Sequence, residues 1–418
     1  MFFKGLQVSL CAFLVGVINI SGTQGSYEPT WESLDARPLP SWYDEAKIGV
    51  LVHWGLYSVP GVGSEWFWWA LRGQKKPSYL QFMRDNFKAK DTYASFTDDL
   101  TGIFFNPNKW AELFEHAGVK YAILTAKHQD GYCMWPSPYS YHWNSLTSGP
   151  TKDVVGEFMT AMRKKENLKA GVFYSLYEWF HPIYNIDKAI GFRTSFYPAT
   201  KSVPELKDLV EKYKPDIIWS TGDWEAPASY WNSTNFLAWL YNESPVAETV
   251  VVNDRWGEGT ACEHGGFLNC VDRYNPRNML INIGVTADGM LNPIYEDRLV
   301  KLGDWMKINA EGIHGTVPWS FQNDTVNADT WYTKRKEGSG PEDVQGSVYA
   351  IFLRYPVSDL ILGAPEASET TQIFMLGYGE VTHETLPDGG IKISVPPMQA
   401  ATSPPYGWVL RMTNLSNA

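Results

Sequence analysis

Asp223 and Glu225 stand directly behind a short apolar run, Ile217, Ile218 and Trp219, which Pro215 opens and Ser220, Thr221 and Gly222 close. A carboxylate at the end of a buried strand can act as a nucleophile, or give and take a proton, once its pKa and reach suit the task. The pattern recurs along the chain. His53 ends the apolar run from Ile48, and Lys127, His128, Gln129 and Asp130 follow the run over 119–126. Glu178 and His181 follow 169–175, and Asp254 and Arg255 follow 249–253. Glu65 and Trp66 stand behind Gly61 and Gly63 and lead into Phe67, Trp68 and Trp69. Flat rings and a carboxylate gathered behind glycines make a poor ordinary loop and a good wall for a ligand. No His, Cys, Asp or Glu cluster has metal-ligand spacing, so neither a metal nor another cofactor is expected.

Short apolar runs bounded by turn residues read as strands buried on both faces of a parallel sheet. Six are legible, beginning near residues 47, 119, 169, 216, 249 and 279. Helices fall between them. Asn106 caps one, with Pro107 in its first turn and Gly118 as its stop. Others are expected over 152–166, 204–213, 230–241 and 293–309. This alternation predicts an α/β fold, a (β/α) TIM-like barrel over residues 26–316, with its chemistry at the carboxyl ends of the strands. A closed barrel uses eight strands. A parallel crossover needs about a dozen residues or more, and the passage from Val271 to Met279 is shorter than that. The barrel is therefore expected to be incomplete. Over 317–418, short stretches at 347–355, 371–376, 390–395 and 406–412 lie between Gly and Pro turns and predict a C-terminal antiparallel β-sandwich.

The length of 418 residues suits a barrel and a smaller domain. A net charge of −11 argues against nucleic acid or an anionic membrane as partner. The 19 Trp supply rings whose faces suit the C–H faces of sugars, although most Trp in any protein is core. Residues 1–25 read as a secretory signal peptide, with Lys4 before an apolar core and small residues behind it. No other run reaches membrane-spanning length. A lysosomal or secreted protein is expected. In that compartment Cys262 and Cys270 are candidates for a local disulfide, which leaves Cys133 odd. Asn232, Asn323 and Asn414 head N-glycosylation sequons.

The blocks 49–55, 63–66, 127–128, 179–181, 253–255 and 282–284 are specific in combination. From about Pro29 onward the chain resembles the α-L-fucosidases of glycoside hydrolase family 29, of the animal tissue and plasma type. The resemblance implies a barrel with a C-terminal β-sandwich and retaining hydrolysis of terminal α-L-fucose from glycoproteins and glycolipids. It makes fucosylated glycans the partners and leaves a homo-oligomer open. Such hydrolysis needs two carboxyl groups about 5 Å apart, one as nucleophile and one as acid/base. By position, His53, Glu65, Trp66 and His128 would bind the sugar, Trp219 would flank the nucleophile, and Arg255 would lie close by.

The chain departs from the family pattern in three places. The nucleophilic Asp of the family's Trp-Ser-Asp-Gly is Thr221 here. Asp223 is the nearest substitute, about two strand rises or 6–7 Å farther on, and only a bend at Gly222 could bring it back. The Lys-Trp-Glu-x-Cys segment, which holds the acid/base or its neighbourhood, is absent between Asn275 and Leu280, where the crossover is too short. The acid/base is thus unassigned, with Glu263 as a fallback. Gln129 replaces the second of two histidines. The alternative reading is a catalytically inactive, lectin-like relative that binds fucose.

Overall fold

A computed structural model describes residues 26–269, 278–387, 389–397 and 406–418. The expected signal peptide and Cys270 lie outside them. Six parallel strands are described: β1 (Ile48–His53), β2 (Tyr121–Lys127), β3 (Lys169–Ser175), β4 (Ile217–Thr221), β5 (Val251–Val252) and β6 (Met279–Gly284). They pair in the order β5-β4-β3-β2-β1-β6. Strands β1 to β5 step one way, and the last strand returns to the far side of the first. That is barrel order with a seam between β5 and β6. The seam leaves its mark on β6, where Met279 is 51% exposed and only Ile283 is buried, whereas all of β2 is buried. Residues beside β5 fill part of the opening. Phe267 N donates to Val252 O at 3.0 Å, and its ring lies 4.6 Å from Tyr43 and 5.4 Å from Trp219.

Strand alternation sorts the side chains. Leu51, Tyr121, Ile123, Phe173, Ile217 and Val251 pack together inside the barrel, above Tyr43. Val50, Val52, Leu124, Val172 and Ile218 pack with Phe114, Phe158 and Leu209 of the surrounding helices. Those helices include Pro107–His116, Val154–Arg163, Val203–Tyr213 and Pro293–Asn309. Asn106 caps the first as expected, its Oδ1 accepting from Lys109 N at 3.2 Å.

One irregularity changes the mouth. The β2–β3 register shifts between Thr125 and Lys127. Lys127 thereby turns to the helix layer, where its Nζ meets Glu205 at 2.9 Å, Glu178 at 3.1 Å and the Tyr174 hydroxyl at 3.0 Å. Lys201 Nζ holds the other Glu205 oxygen at 2.7 Å. Burial alone would raise the Glu205 carboxyl, but the two ammonium groups override it and hold it far below the usual range. Burial likewise opposes the charge on Lys127, and the Glu205 and Glu178 carboxylates more than restore it.

At the end of β4, Gly222 adopts a left-handed conformation with φ +93°. A Cβ there would stand 2.5 Å from the Tyr177 ring. Only glycine fits both demands, and the chain turns at once into the 3-10 turn Asp223–Glu225.

The antiparallel sandwich is present. Strands 316–317, 330–335, 348–352, 367–375, 379–380 and 408–415 form one sheet, and 360–362, 383–385 and 391–393 another. Val348, Phe352, Leu362, Ile373, Ile391 and Leu410 share the core between them. Trp305 Nε1 donates to Gly407 O at 2.8 Å and Arg411 pairs with Glu311 at 3.2 Å, which fastens the sandwich to the last barrel helix and the turn after it.

Two outcomes follow for stability. Glu205→Gln leaves buried ammonium groups short of charge and should lower the unfolding free energy by about 3–5 kcal/mol in urea titrations. Glu205 is depressed and Lys127 raised, so in the wild type this contribution is whole between the ordinary values of 4.5 and 10.5. It is lost only as pH falls through the folded Glu205 value or rises through that of Lys127. Gly222→Ala should cost about 1–3 kcal/mol by the same measurement.

Candidate active site

The carboxyl ends of β1 to β4 bring the sequence candidates together in part. His53 Nδ1 lies 2.9 Å from Thr125 Oγ1, whose hydroxyl donates to Val52 O. The hydroxyl proton is thus spent, and the network assigns Nδ1 of His53 as donor. Nε2 is left as an acceptor for a ligand hydroxyl. Burial lowers the His53 imidazole to about 4. His128 is buried with Nδ1 unpartnered, and burial followed by the His53 charge holds it low as well. Both rings are neutral hydrogen-bonding groups at ordinary pH. The His128 ring stacks 5.8 Å from Phe173.

Aromatic rings lead outward from this floor. His53 lies 6.1 Å from His128, His128 5.9 Å from Trp179, and Trp179 5.3 Å from Trp66. Tyr57 closes on His128 at 5.6 Å. Burial, with added push from the Asp130 and Glu65 carboxylates, raises the Tyr57 hydroxyl, so Glu65 acts on the same pocket. Gln129 is buried with Oε1 unpartnered. Such unpaired buried atoms are where a ligand's hydroxyls gain most.

Thr221 is buried and shares the inward face of β4 with Ile217 and Trp219. Trp219 packs against Phe267. The bend at Gly222 exists, and beyond it Asp223 is 8% exposed with Oδ1 unpartnered. Burial raises its carboxyl, and Arg255 opposes that. No described contact joins Asp223 to His53 or His128. Arg255 spends its hydrogen bonds on Asn269, through Nε and Nη2, each at 3.4 Å. Glu225 is taken by Lys188 and by the Tyr184 hydroxyl at 2.6 Å.

Ser220 faces outward and ties β4 to the residue after β5. Its N and Oγ donate to Asn253 Oδ1 at 3.1 and 2.9 Å, and Asn253 Nδ2 donates to Ser220 O at 2.9 Å. Asp254 is buried and accepts from the Cys262 and Asn269 amides. Glu263 is exposed, beside a His264 that pairs with Asp35, and no described contact brings it to the histidines. Cys262 is disulfide-bonded, while Cys133 is free and buried. Asn232, Asn323 and Asn414 are exposed.

Sequence reasoning assigned no role to Tyr57, Phe173 or Trp179. Trp179 follows a strand-end carboxylate just as Trp224 does, and that recurrence was the available signal. Lys127 and Glu205 are 78 residues apart in sequence, and nothing local pairs them.

Comparison with known proteins bears on this geometry. The profile described as Alpha-L-fucosidase matches residues 17–278 and 277–311, and that of the Alpha-L-fucosidase C-terminal domain matches 322–413. The first match breaks at residues 277–278, where the crossover is short. The tissue alpha-L-fucosidase of Macaca fascicularis is 44% identical, covering 93% of this chain and 92% of its own. The human plasma alpha-L-fucosidase is 42% identical, covering 93% of each chain. The first alignment runs over 439 positions, longer than this chain's 418 residues, so that relative carries residues this chain lacks. Among solved structures, a Thermotoga maritima alpha-fucosidase in complex with fucose has a TM-score of 0.74 at 25% identity, covering 93% of this chain and 100% of that one. The same enzyme with a mechanism-based inhibitor gives 0.76 at 26%, with the same coverage. The chain belongs to the α-L-fucosidase family of glycoside hydrolases.

Proposed function

We propose that this chain seats terminal α-L-fucose of glycoproteins and glycolipids against His53 and His128, and that its retaining hydrolytic pair is incomplete. The observation that carries the reading is Thr221, buried and inward at the end of β4. Retaining hydrolysis needs a carboxylate there, near a second one about 5 Å away. A threonine hydroxyl needs a base to attack, and no described residue bonds to that of Thr221. Asp223, the substitute, lies past the bend, on the side of Arg255 and Asp254, whose charges act on its carboxyl. The family segment that holds the acid/base is not found in the chain, and loss of that group alone slows such reactions by about 10²–10⁴. Glu65, Trp66 and His128 keep the binding half, with Trp219 and Arg255 at its flank. The tissue and plasma relatives support a lysosomal or secreted setting, with glycans on Asn232, Asn323 and Asn414. Residues 26–316 act as the barrel domain and 317–418 as the sandwich.

The decisive assay uses nitrophenyl α-L-fucoside beside calorimetry with L-fucose. We expect turnover at the buffer blank and a measurable heat. Turnover well above the blank contradicts the lost pair, and absence of heat contradicts the retained cradle. Thr221→Asp should raise nitrophenyl fucoside turnover at least about 10²-fold, because nitrophenolate leaves without a proton from the protein. A fucosyl disaccharide, whose leaving group needs that proton, should stay uncleaved. Affinity for L-fucose should hold from neutral pH down to about 5 and fall as His53 protonates near its value of about 4. Protonation replaces the Nε2 acceptor by a donor.

A further inference from the structure

Trp224 is a large apolar ring left 43% exposed in the turn behind β4, one residue after Asp223. Two rings pack against it. It stacks on Trp66 at 6.0 Å and 26°, and meets Tyr177 edge-on at 6.3 Å and 86°. Exposure rises along the rings that lead to it. His128 is 3% exposed and Trp179 4%, Trp66 is half-buried, and Trp224 stands at the rim. A monosaccharide seated on the two histidines therefore meets a wall that continues beyond its own depth. The next residue does not interfere, since Glu225 is drawn away by Lys188 and Tyr184.

We propose that Trp224 stacks on the sugar unit that carries the fucose, and so sets which fucosides are held. A ring packed on Trp66 and Tyr177 yet left 43% exposed suits the C–H-rich face of a pyranose, which gains by covering it without charge or full hydrogen-bond matching. The inference rests on the fucose-binding reading above and extends that site by one sugar.

Calorimetry with L-fucose and with α-L-fucosyl-(1→2)-galactose separates the two. The wild type should bind the disaccharide about tenfold more tightly than fucose. Trp224→Ala should lose that gain while its affinity for L-fucose stays within about twofold, and Trp224→Phe should keep most of the gain. An unchanged melting temperature shows that the alanine variant is folded, and a variant that melts early passes the decision to Trp224→Tyr and Trp224→Phe, whose gain must track the ring. If Trp224→Ala keeps the gain, or weakens both ligands alike, the proposal is overturned. If the wild type binds fucose but gains nothing from galactose, the rim site is overturned and the fucose pocket stands. If the wild type binds neither sugar, both fall.

Discussion

The shift of register one residue before the end of β2 decides what the barrel mouth contains. Regular alternation would leave Lys127 pointing inward with Thr125, an uncompensated cation on the pocket floor. The shift turns Lys127 outward to Glu205 and Glu178 and hands the inward position to His128. The arrangement is costly in isolation, because charged groups are removed from water. It stands because each charge meets an opposite one and the remaining donors are used. Ser137 and Ser140 hydroxyls donate to Glu205 Oε1 at 2.6 and 2.8 Å, which completes its coordination. A neutral, water-poor floor follows, on which two imidazoles act as hydrogen-bonding groups rather than acids.

The same alternation bears on the proposed loss of the nucleophile at β4. The face of β4 that looks inward carries Ile217, Trp219 and Thr221. A nucleophile must come from that face, at that depth. Asp223 has the right parity on an extended strand, but the strand has ended and Gly222 sends the chain into a turn. The bend relocates the carboxylate toward the end of β5, where Arg255 and Asp254 act on it. Burial without a partner on Oδ1 keeps that carboxyl raised. In the proposed reading, the short crossover bears on the acid and the turn on the nucleophile of one reaction.

Much of the barrel was legible because its strands are continuous apolar runs. The stretches 169–175 and 279–284, and the helix 293–309, match the observed Lys169–Ser175, Met279–Gly284 and Pro293–Asn309. Six strands among the described residues fit the barrel expected from the runs, with the short passage before Met279 falling mostly outside them. The run 249–253 shrank to the two residues Val251–Val252, because Thr249 and Val250 turn their N–H groups to Val246 O and the Asn253 side chain bonds Ser220. Helices Pro77–Asn86 and Pro182–Ala189 went unforeseen. The second buries only Tyr184 and Asp187 and leaves Ile183 and Ile186 on its exposed side. The buried ion network was invisible, since a pairing over 78 residues has no local signature.

In the proposed reading the sugar's seat survives while no carboxylate reaches its anomeric carbon. Mass spectrometry of the protein after incubation with a fluorinated fucoside bearing a good leaving group tests it most directly, because such a reagent traps a fucosyl ester wherever attack succeeds. An unmodified mass is expected after long incubation. A fluorofucosyl adduct mapped to Asp223 would contradict it.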